Sequence, residues 1–388
     1  MKKIGILGST GSIGSSAISL IKNELKEKVC VSFLSFHFNA ELALQQAIAV
    51  KTRDVFATSK EGYQAFKKIY DGNEITLHFG DEALIEACKN EDLDVILLAI
   101  VGVYGLKFAL SSISSNKKRT LAIANKEAII CGSHLINENL KNSKTKIIPV
   151  DSEHNSLFRL LSSLSSDAIE GVFITASGGP FLGRKFEDLK DVSLKDVVKH
   201  PVWSMGAKIS VDSATMANKG LELIEASKLF NIKASKIKAF VCKGSTLHAG
   251  INLHDGASVW FLSKPDMKNH ISHAILEGGI SKLNLPRVCP LELSSLTFQE
   301  LKKDEFPVFF IAKNVAESED LSHIISFNIL NEIAVAKFLN GEIKYTQILE
   351  IIDGNLGSNN LNYKFQNLLE IEDYSNYLAR EVEYYLKH

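Results

Sequence analysis

The stretch from Lys2 to Ile21, KKIGILGSTGSIGSSAISLI, decides the fold. Lys3-Ile4-Gly5-Ile6-Leu7 reads as a short apolar strand, and Gly8, Gly11 and Gly14 lie between it and the first helix. Glycine is needed where backbone turns tightly, approaches a pyrophosphate, or lets a helix pack on a strand. The helix behind it then offers free N–H groups and the positive end of its dipole. The same glycines would also serve a purely structural turn, so context has to decide. The stretch opens a series of apolar runs, KIGILG, VSFLSF, DVFATS, DVILLAIVG, TLAIAN and KIIPV, alternating with helical patterns up to about Val150. That rhythm is βαβ and predicts an α/β fold with a doubly wound, Rossmann-type parallel sheet. The most apolar run, Val95 to Val103, is about half of what a bilayer requires and reads as a strand covered on both faces.

An NAD site usually places a carboxylate at the end of the second strand, about 20 residues past the glycines. Here that region reads Ser35-Phe36-His37-Phe38-Asn39, with no carboxylate to repel a 2′-phosphate, which tilts the choice toward NADP.

With 388 residues and 45% hydrophobic content, the chain suits two or three domains. A net charge of -1 and no basic run longer than Lys117-Lys118-Arg119 exclude a nucleic-acid surface. The five cysteines are scattered, odd in number and never spaced as Cys-x-x-Cys, and a strand starts almost at once. The expectation is a cytoplasmic protein without a signal peptide or membrane association.

Past Gly171 the texture turns α+β. GVFITAS is a further strand, a Gly-, Pro- and Lys-rich loop runs from Gly178 to about Lys208, and AGINLHDGASVWFLS places Asp255-Gly256 where a type I′ hairpin turn belongs. From about Asp320 the spacing is helical, with Gly341 as a C-cap. The expected divisions are a nucleotide-binding domain over 1–149, a central catalytic, metal-binding and dimerisation domain over 150–284, and a helical domain over 305–388.

KIIPVDSEHN puts Asp151 and Glu153 at the end of a strand, with an amphipathic helix expected from Ser156 to Leu164. If the backbone there is still extended, both side chains point one way. A set of oxygen ligands with no nearby cysteine suits Mg²⁺ or Mn²⁺. Glu222 and Glu225, on a helix beginning near Ala217, are both candidates for a third ligand. Helix capping by Asp151 or Ser152 explains the pair equally well. The residues alone leave both questions open.

The segments GILGSTGSIG, AIANKEAIICG, IIPVDSEHNSLF, ITASGGPF and HPVWSMGAKISVDSATMANKGLELIEA together resemble the 1-deoxy-D-xylulose 5-phosphate reductoisomerase family, and weaker likeness continues through GASVWFLSKPDM and FNILNEIAVAKFL. The resemblance implies an enzyme that rearranges 1-deoxy-D-xylulose 5-phosphate and reduces the product with NADPH, using Mn²⁺ or Mg²⁺, to 2-C-methyl-D-erythritol 4-phosphate, a step of non-mevalonate isoprenoid biosynthesis. It assigns the metal to Asp151, Glu153 and Glu222, and catalysis to Lys126, Glu153 and His200. Substrate contacts fall to Ser152, Ser177, His200, Ser213, Asn218 and Lys219, with Trp203 and Met205 on a lid. Cofactor contacts fall to Thr10, Gly11, Ser12, Ile13, Asn125, Glu127 and Gly206. The family is homodimeric, and the central sheet is the expected interface.

Two departures stand out. The basic residue common after the second strand is missing, so His37 and Asn39 are expected to hold the 2′-phosphate. Cys242-Lys243-Gly244-Ser245 replaces the usual His-Pro-Gln-Ser, although Ser245 and His248 keep the match. Competing readings are a metal-independent dehydrogenase of the homoserine or semialdehyde kind and a non-catalytic NADP sensor. The bland assignments are His270 and His273 on a solvated helix face, and five cysteines as inert core.

Overall fold

The computed structural model describes residues 1–197, 206–356 and 363–387. The chain divides into two units, the first made of Met1–Ala128, Gly132–Asn155 and Asp266–Leu285, the second of Ile129–Cys131, Ser156–Pro265 and Pro286–His388.

In the first unit each apolar run becomes a strand: β1 (Lys2–Leu7), β2 (Val29–Phe36), β3 (Asp54–Ala57), β4 (Thr76–Phe79), β5 (Val95–Leu98), β6 (Thr120–Ile123) and β7 (Lys146–Pro149). They form one sheet in the order β4-β3-β2-β1-β5-β6-β7, parallel throughout. The helices between them are α1 (Ser12–Leu20), α2 (Ala40–Val50), α3 (Lys60–Ile69), α4 (Asp81–Lys89), α5 (Leu106–Ile113) and α6 (Lys126–Leu140). Such a sheet is covered on both faces, which is why β5 and β6 are buried along their whole length and need not alternate. The apolar run at Val95 ends as a strand at Leu98, earlier than its composition implied. Strand β4 had no apolar run to announce it: it is a four-residue edge strand with Thr76 and Phe79 exposed.

Arg119, buried just before β6, donates to the carbonyls of Cys88 (2.6 Å) and Asn90 (2.8 Å) and to Ser115 Oγ (2.6 Å). Its charge thus sits on the C-terminal carbonyls of α4, where the helix dipole is negative.

The second unit holds a mixed sheet in the order β11-β10-β8-β9-β12, from β8 (Ile169–Ala176), β9 (Ile237–Cys242), β10 (Leu247–Leu253), β11 (Ser258–Leu262) and β12 (Phe298–Glu300). Only the β8–β9 pair is parallel. The β10–β11 hairpin forms where Asp255-Gly256 predicted it, but its turn is of another type. Gly256 N–H donates to Leu253 C=O (3.0 Å) and Gly256 alone of the pair has positive φ (88°), whereas a type I′ turn needs two such residues. The remaining helices are α7 (Ser152–Leu161), α8 (Leu194–Val197), α9 (Ala207–Ala214), α10 (Ala217–Phe230), α11 (Met267–Ile275), α12 (Pro307–Ser318), α13 (Leu321–Leu339), α14 (Gln347–Leu356) and α15 (Leu368–Tyr385). Helix α10 starts at the predicted Ala217. Gly341 follows the end of α13 at φ 75°, donating its N–H to Phe338 C=O. Among the described residues no helix is long and apolar enough to cross a membrane.

The cysteines divide. Cys88, Cys131 and Cys242 are buried, and burial pushes the Cys88 thiol up to about 12, but Cys30 and Cys289 are exposed. A uniform inert core is therefore the wrong description, because the alternation of β2 turns Cys30 outward. Titration of the native protein with an aromatic disulfide reagent should modify two thiols quickly and all five only after denaturation. Rapid native reaction of three or more would contradict this burial pattern.

Candidate metal centre and nucleotide loop

Strand β1 sits between β2 and β5, the point where strand order reverses, so the crevice beyond its carboxyl end is the expected ligand position of an open α/β sheet. The loop there is built of close approaches. A Cβ on Gly14 would lie 2.3 Å from Gly8 O, and one on Gly8, whose φ is 79°, would lie 2.7 Å from Ala99 O. Gly8 N–H is tied to Ser35 Oγ at the end of β2 (3.0 Å). Gly11 is the N-cap of α1 and supplies no side-chain cap, so the first N–H groups of the helix face outward for an anion. Thr10, Gly11, Ser12 and Ile13 lie on this loop and its first helical turn, with Gly11 and Ser12 exposed.

His37 and Asn39 follow β2. Asn39 Oδ1 caps α2 by accepting from Leu42 N–H (3.1 Å). The His37 ring packs edge-on against Phe38 and its Nδ1 is 2.8 Å from Thr58 Oγ1. Thr58 Oγ1 also lies 3.2 Å from Phe36 C=O, so the hydroxyl bridges the ring to the end of β2. Nε2 is then the atom left for a ligand.

At the end of β6, Asn125 caps α6 through Oδ1 and donates Nδ2 to the carbonyls of Ile100 and Gly102, so its amide stitches the β5 and β6 loops together. Lys126 and Glu127 open α6, and Lys126 Nζ lies 3.7 Å from Asp151 Oδ2. The region after β7 differs from the sequence expectation. Helix α7 begins at Ser152, four residues early, so no extended strand aligns Asp151 with Glu153. Asp151 instead caps the helix: its Oδ1 accepts from the N–H groups of Glu153 (3.1 Å) and His154 (3.4 Å) and pairs with His154 Nδ1 (2.9 Å). Ser152 Oγ donates to Glu153 Oε2 (2.6 Å).

The predicted solvated face on α11 is overturned. His270 and His273 are buried, and both bond to the buried Asn155. Their spacing of three matched a surface stripe, but it equally places two polar rings on the inner face of the helix.

In the second unit, Ser177 directly follows β8, Ser213 lies in the last turn of α9, and Asn218 and Lys219 lie in the first turn of α10. The Ser177 turn packs directly on α9: a Cβ on Gly179, at φ 64°, would lie 2.8 Å from Ser213 O. Asn218 Nδ2 and Lys219 Nζ donate to the two carboxylate oxygens of Glu222. Buried Asp212 is held by Asn331 Nδ2 (2.8 Å) and Lys208 Nζ (3.1 Å), a pairing with no sequence motif to signal it. Gly206 caps α9 and is exposed. His200, Trp203 and Met205 lie outside the described residues.

Among the described residues, one group of His, Cys, Asp or Glu side chains is arranged to hold a metal ion: Asp151, Glu153 and Glu222, whose ligand oxygens all lie within 4.8 Å of one another. Glu225, also buried, is not in the group. Three carboxylates with no sulfur or imidazole ligand fit a hard divalent cation.

Family models for the 1-deoxy-D-xylulose 5-phosphate reductoisomerase domains match residues 4–133, 147–230 and 262–380. The chain belongs to the 1-deoxy-D-xylulose 5-phosphate reductoisomerase family. It is 37% identical to the reductoisomerase of Agathobacter rectalis over 353 residues, 91% of this chain and 92% of that one. With that of Ehrlichia canis it shares 37% identity over 384 residues, 98% of each chain. Among solved structures it resembles a reductoisomerase in complex with NADPH, fosmidomycin and magnesium, with a TM-score of 0.93 and 30% identity, covering 100% of this chain and 98% of that one. The Zymomonas mobilis reductoisomerase in complex with NADPH gives a TM-score of 0.88 at 30% identity, covering 98% of each chain. These matches agree with the sequence reading of the family and its fold.

Proposed function

We propose that Asp151, Glu153 and Glu222 hold the divalent cation, Mg²⁺ or Mn²⁺, of an NADPH-dependent enzyme that rearranges and reduces 1-deoxy-D-xylulose 5-phosphate to 2-C-methyl-D-erythritol 4-phosphate. The reaction follows from family membership. The observation that carries the residue assignment is the convergence of three carboxylate oxygens within 4.8 Å. When bound, the cation polarises the substrate's carbonyl and neighbouring hydroxyl. Lys126, beside Asp151, supplies a fixed positive charge for negative charge developing on substrate oxygen. Ser152 and Glu153, joined by a hydrogen bond at the start of α7, are the proposed contacts to the same reacting oxygens. Ser177, Ser213, Asn218 and Lys219 supply donors for the phosphate end, whose binding energy orients the reacting carbons. The glycine loop and the first turn of α1 take the pyrophosphate.

A metal-independent dehydrogenase and a cofactor sensor are both disfavoured by the family match, and the side chains a sensor would have lost, Lys126, Asp151, Glu153 and Glu222, are all present. Glu222→Gln should weaken Mn²⁺ binding by at least about 10-fold and reduce turnover much further, while NADPH still binds. Chelation should stop NADPH consumption with 1-deoxy-D-xylulose 5-phosphate, and added Mn²⁺ should restore it. Turnover that survives thorough chelation would sink the metal assignment.

His37, with Asn39 beside it, is proposed to receive the 2′-phosphate. The ring is held by the Nδ1 contact with Thr58 Oγ1 (2.8 Å), which leaves Nε2 as the nitrogen toward a ligand. His37→Phe should therefore weaken NADPH binding by about 10-fold with little change in NADH binding. An equal loss for both nucleotides, or no loss, would refute the role.

The second unit's sheet supports a homodimer. Trp260 and Phe298 are exposed and stack edge-on, with ring centroids 5.7 Å apart, over the buried Phe173. An exposed patch of this kind marks an interaction face, and the proposed occupant is a second copy of the chain. Trp260→Lys should shift sedimentation toward the monomer; an unaltered protein that sediments as a monomer would exclude the dimer. Exposed Cys30 and Cys289, unpaired, favour a reducing cytoplasm. A disulfide through either in protein taken from its native cells would count against that location.

A further inference from the structure

We infer that Asn155, His270 and His273 are positioning residues that hold the carboxylate-bearing turn after β7 in its ligating shape. All three are buried, and none belongs to the catalytic or binding set. Asn155 Nδ2 donates to Pro149 C=O, the last residue of β7, at 2.8 Å and lies 3.1 Å from His273 Nδ1. Asn155 Oδ1 lies 3.3 Å from His270 Nδ1. Asn155 N–H also donates to Asp151 C=O (2.8 Å), closing the first turn of α7 over the acidic residues.

Hydrogen-bonding rules allow this network one arrangement. The Asn155 amide cannot flip, because Oδ1 would then face the Pro149 carbonyl. With Nδ2 directed at Pro149 and His273, the second amide hydrogen needs a lone pair on His273 Nδ1, and Oδ1 needs a hydrogen on His270 Nδ1. Two histidines one helical turn apart thus play opposite parts, acceptor and donor, on one amide. That combination fixes the amide's plane, and with it the separation between the end of β7 and residue 155.

The brace is itself anchored. Helix α11 is capped by Asp266, packs on α1 and β6, and is followed by Glu277, which pairs with Lys2 and accepts from Thr120 Oγ1 (3.4 Å). One helix therefore supports the helix behind the nucleotide loop on one side and the carboxylate turn on the other. Groups that orient metal ligands from behind alter metal affinity by about 10- to 100-fold when removed.

The inference rests on Asp151 and Glu153 being metal ligands, and its test separates the two claims. Mn²⁺ affinity is measured from the electron paramagnetic resonance signal of free Mn²⁺, and NADPH affinity from nucleotide fluorescence, on the full chain. His270→Phe and His273→Phe should each weaken Mn²⁺ binding about 10-fold, with NADPH affinity changed less than about twofold. His270→Gln, which keeps a donor, and His273→Gln, which keeps an acceptor, should recover most of the loss. If a phenylalanine variant does not fold, as judged by melting without metal, His270→Leu and His273→Leu replace it. Unchanged Mn²⁺ affinity in the apolar variants, parallel loss of NADPH affinity, or no recovery with glutamine each overturns the positioning role. Absence of Mn²⁺ binding by the unaltered protein overturns the ligand assignment itself, and this inference with it.

Discussion

Three carboxylates whose oxygens lie within 4.8 Å of one another repel, and that repulsion is the constraint around which the site is built. At this spacing, with Glu222 buried and Asp151 and Glu153 half-buried, the charges call for compensating donors or a cation. Each acid has its own compensation: Asp151 has Lys126 and His154, Glu153 has Ser152, and Glu222 has Lys219 and Asn218. Lys219 and Asn218 are also the proposed phosphate donors. The acidic and phosphate ends of the site therefore share side chains, and a charge change at Glu222 must alter how firmly those donors are held.

The parallel sheet makes such a concentration possible. In a βαβ series every strand ends at the same edge, so the residues after β1, β2, β6 and β7 collect along one line although they are far apart in sequence. The glycine loop, His37, Lys126 and Asp151 occupy that edge because each follows a strand end directly. Helix α11 extends the logic. It returns to the first unit from beyond residue 265 and fills the space behind α1 and the β7 turn, which a simple succession of βαβ units would leave uncovered.

The sequence made the parallel sheet, the glycine turn, the hairpin and the start of α10 legible, because each rests on local periodicity or on residues with special backbone demands. What it hid depends on partners distant in the chain. Strand β4 carries no apolar run, since an edge strand is half-exposed. His270 and His273 looked solvated because a spacing of three defines a helix face without saying which way the face points; only the buried Asn155, more than a hundred positions earlier, makes it an inner face. Asp212 and Asn331 are likewise unremarkable alone and meaningful as a pair. Motif reasoning named Glu222 through family resemblance, whereas composition and spacing left Glu222 and Glu225 equal, being i and i+3 on one helix.

The choice between helix cap and metal ligand for Asp151 dissolves on inspection of its two oxygens. Oδ1 accepts from two backbone N–H groups and from His154 Nδ1, which fixes the ring's proton on that nitrogen and leaves Oδ1 with no capacity for a cation. Oδ2 instead lies 3.7 Å from Lys126 Nζ and is the oxygen that the proposed metal role would use. Capping thus orients the proposed ligand: rotation of the carboxylate would break three hydrogen bonds, so the helix start locks one oxygen and thereby aims the other. The early start of α7, which removed the extended-strand argument for the acidic pair, is what supplies this better one. A ligand held by its own backbone turn loses little further freedom when a cation arrives.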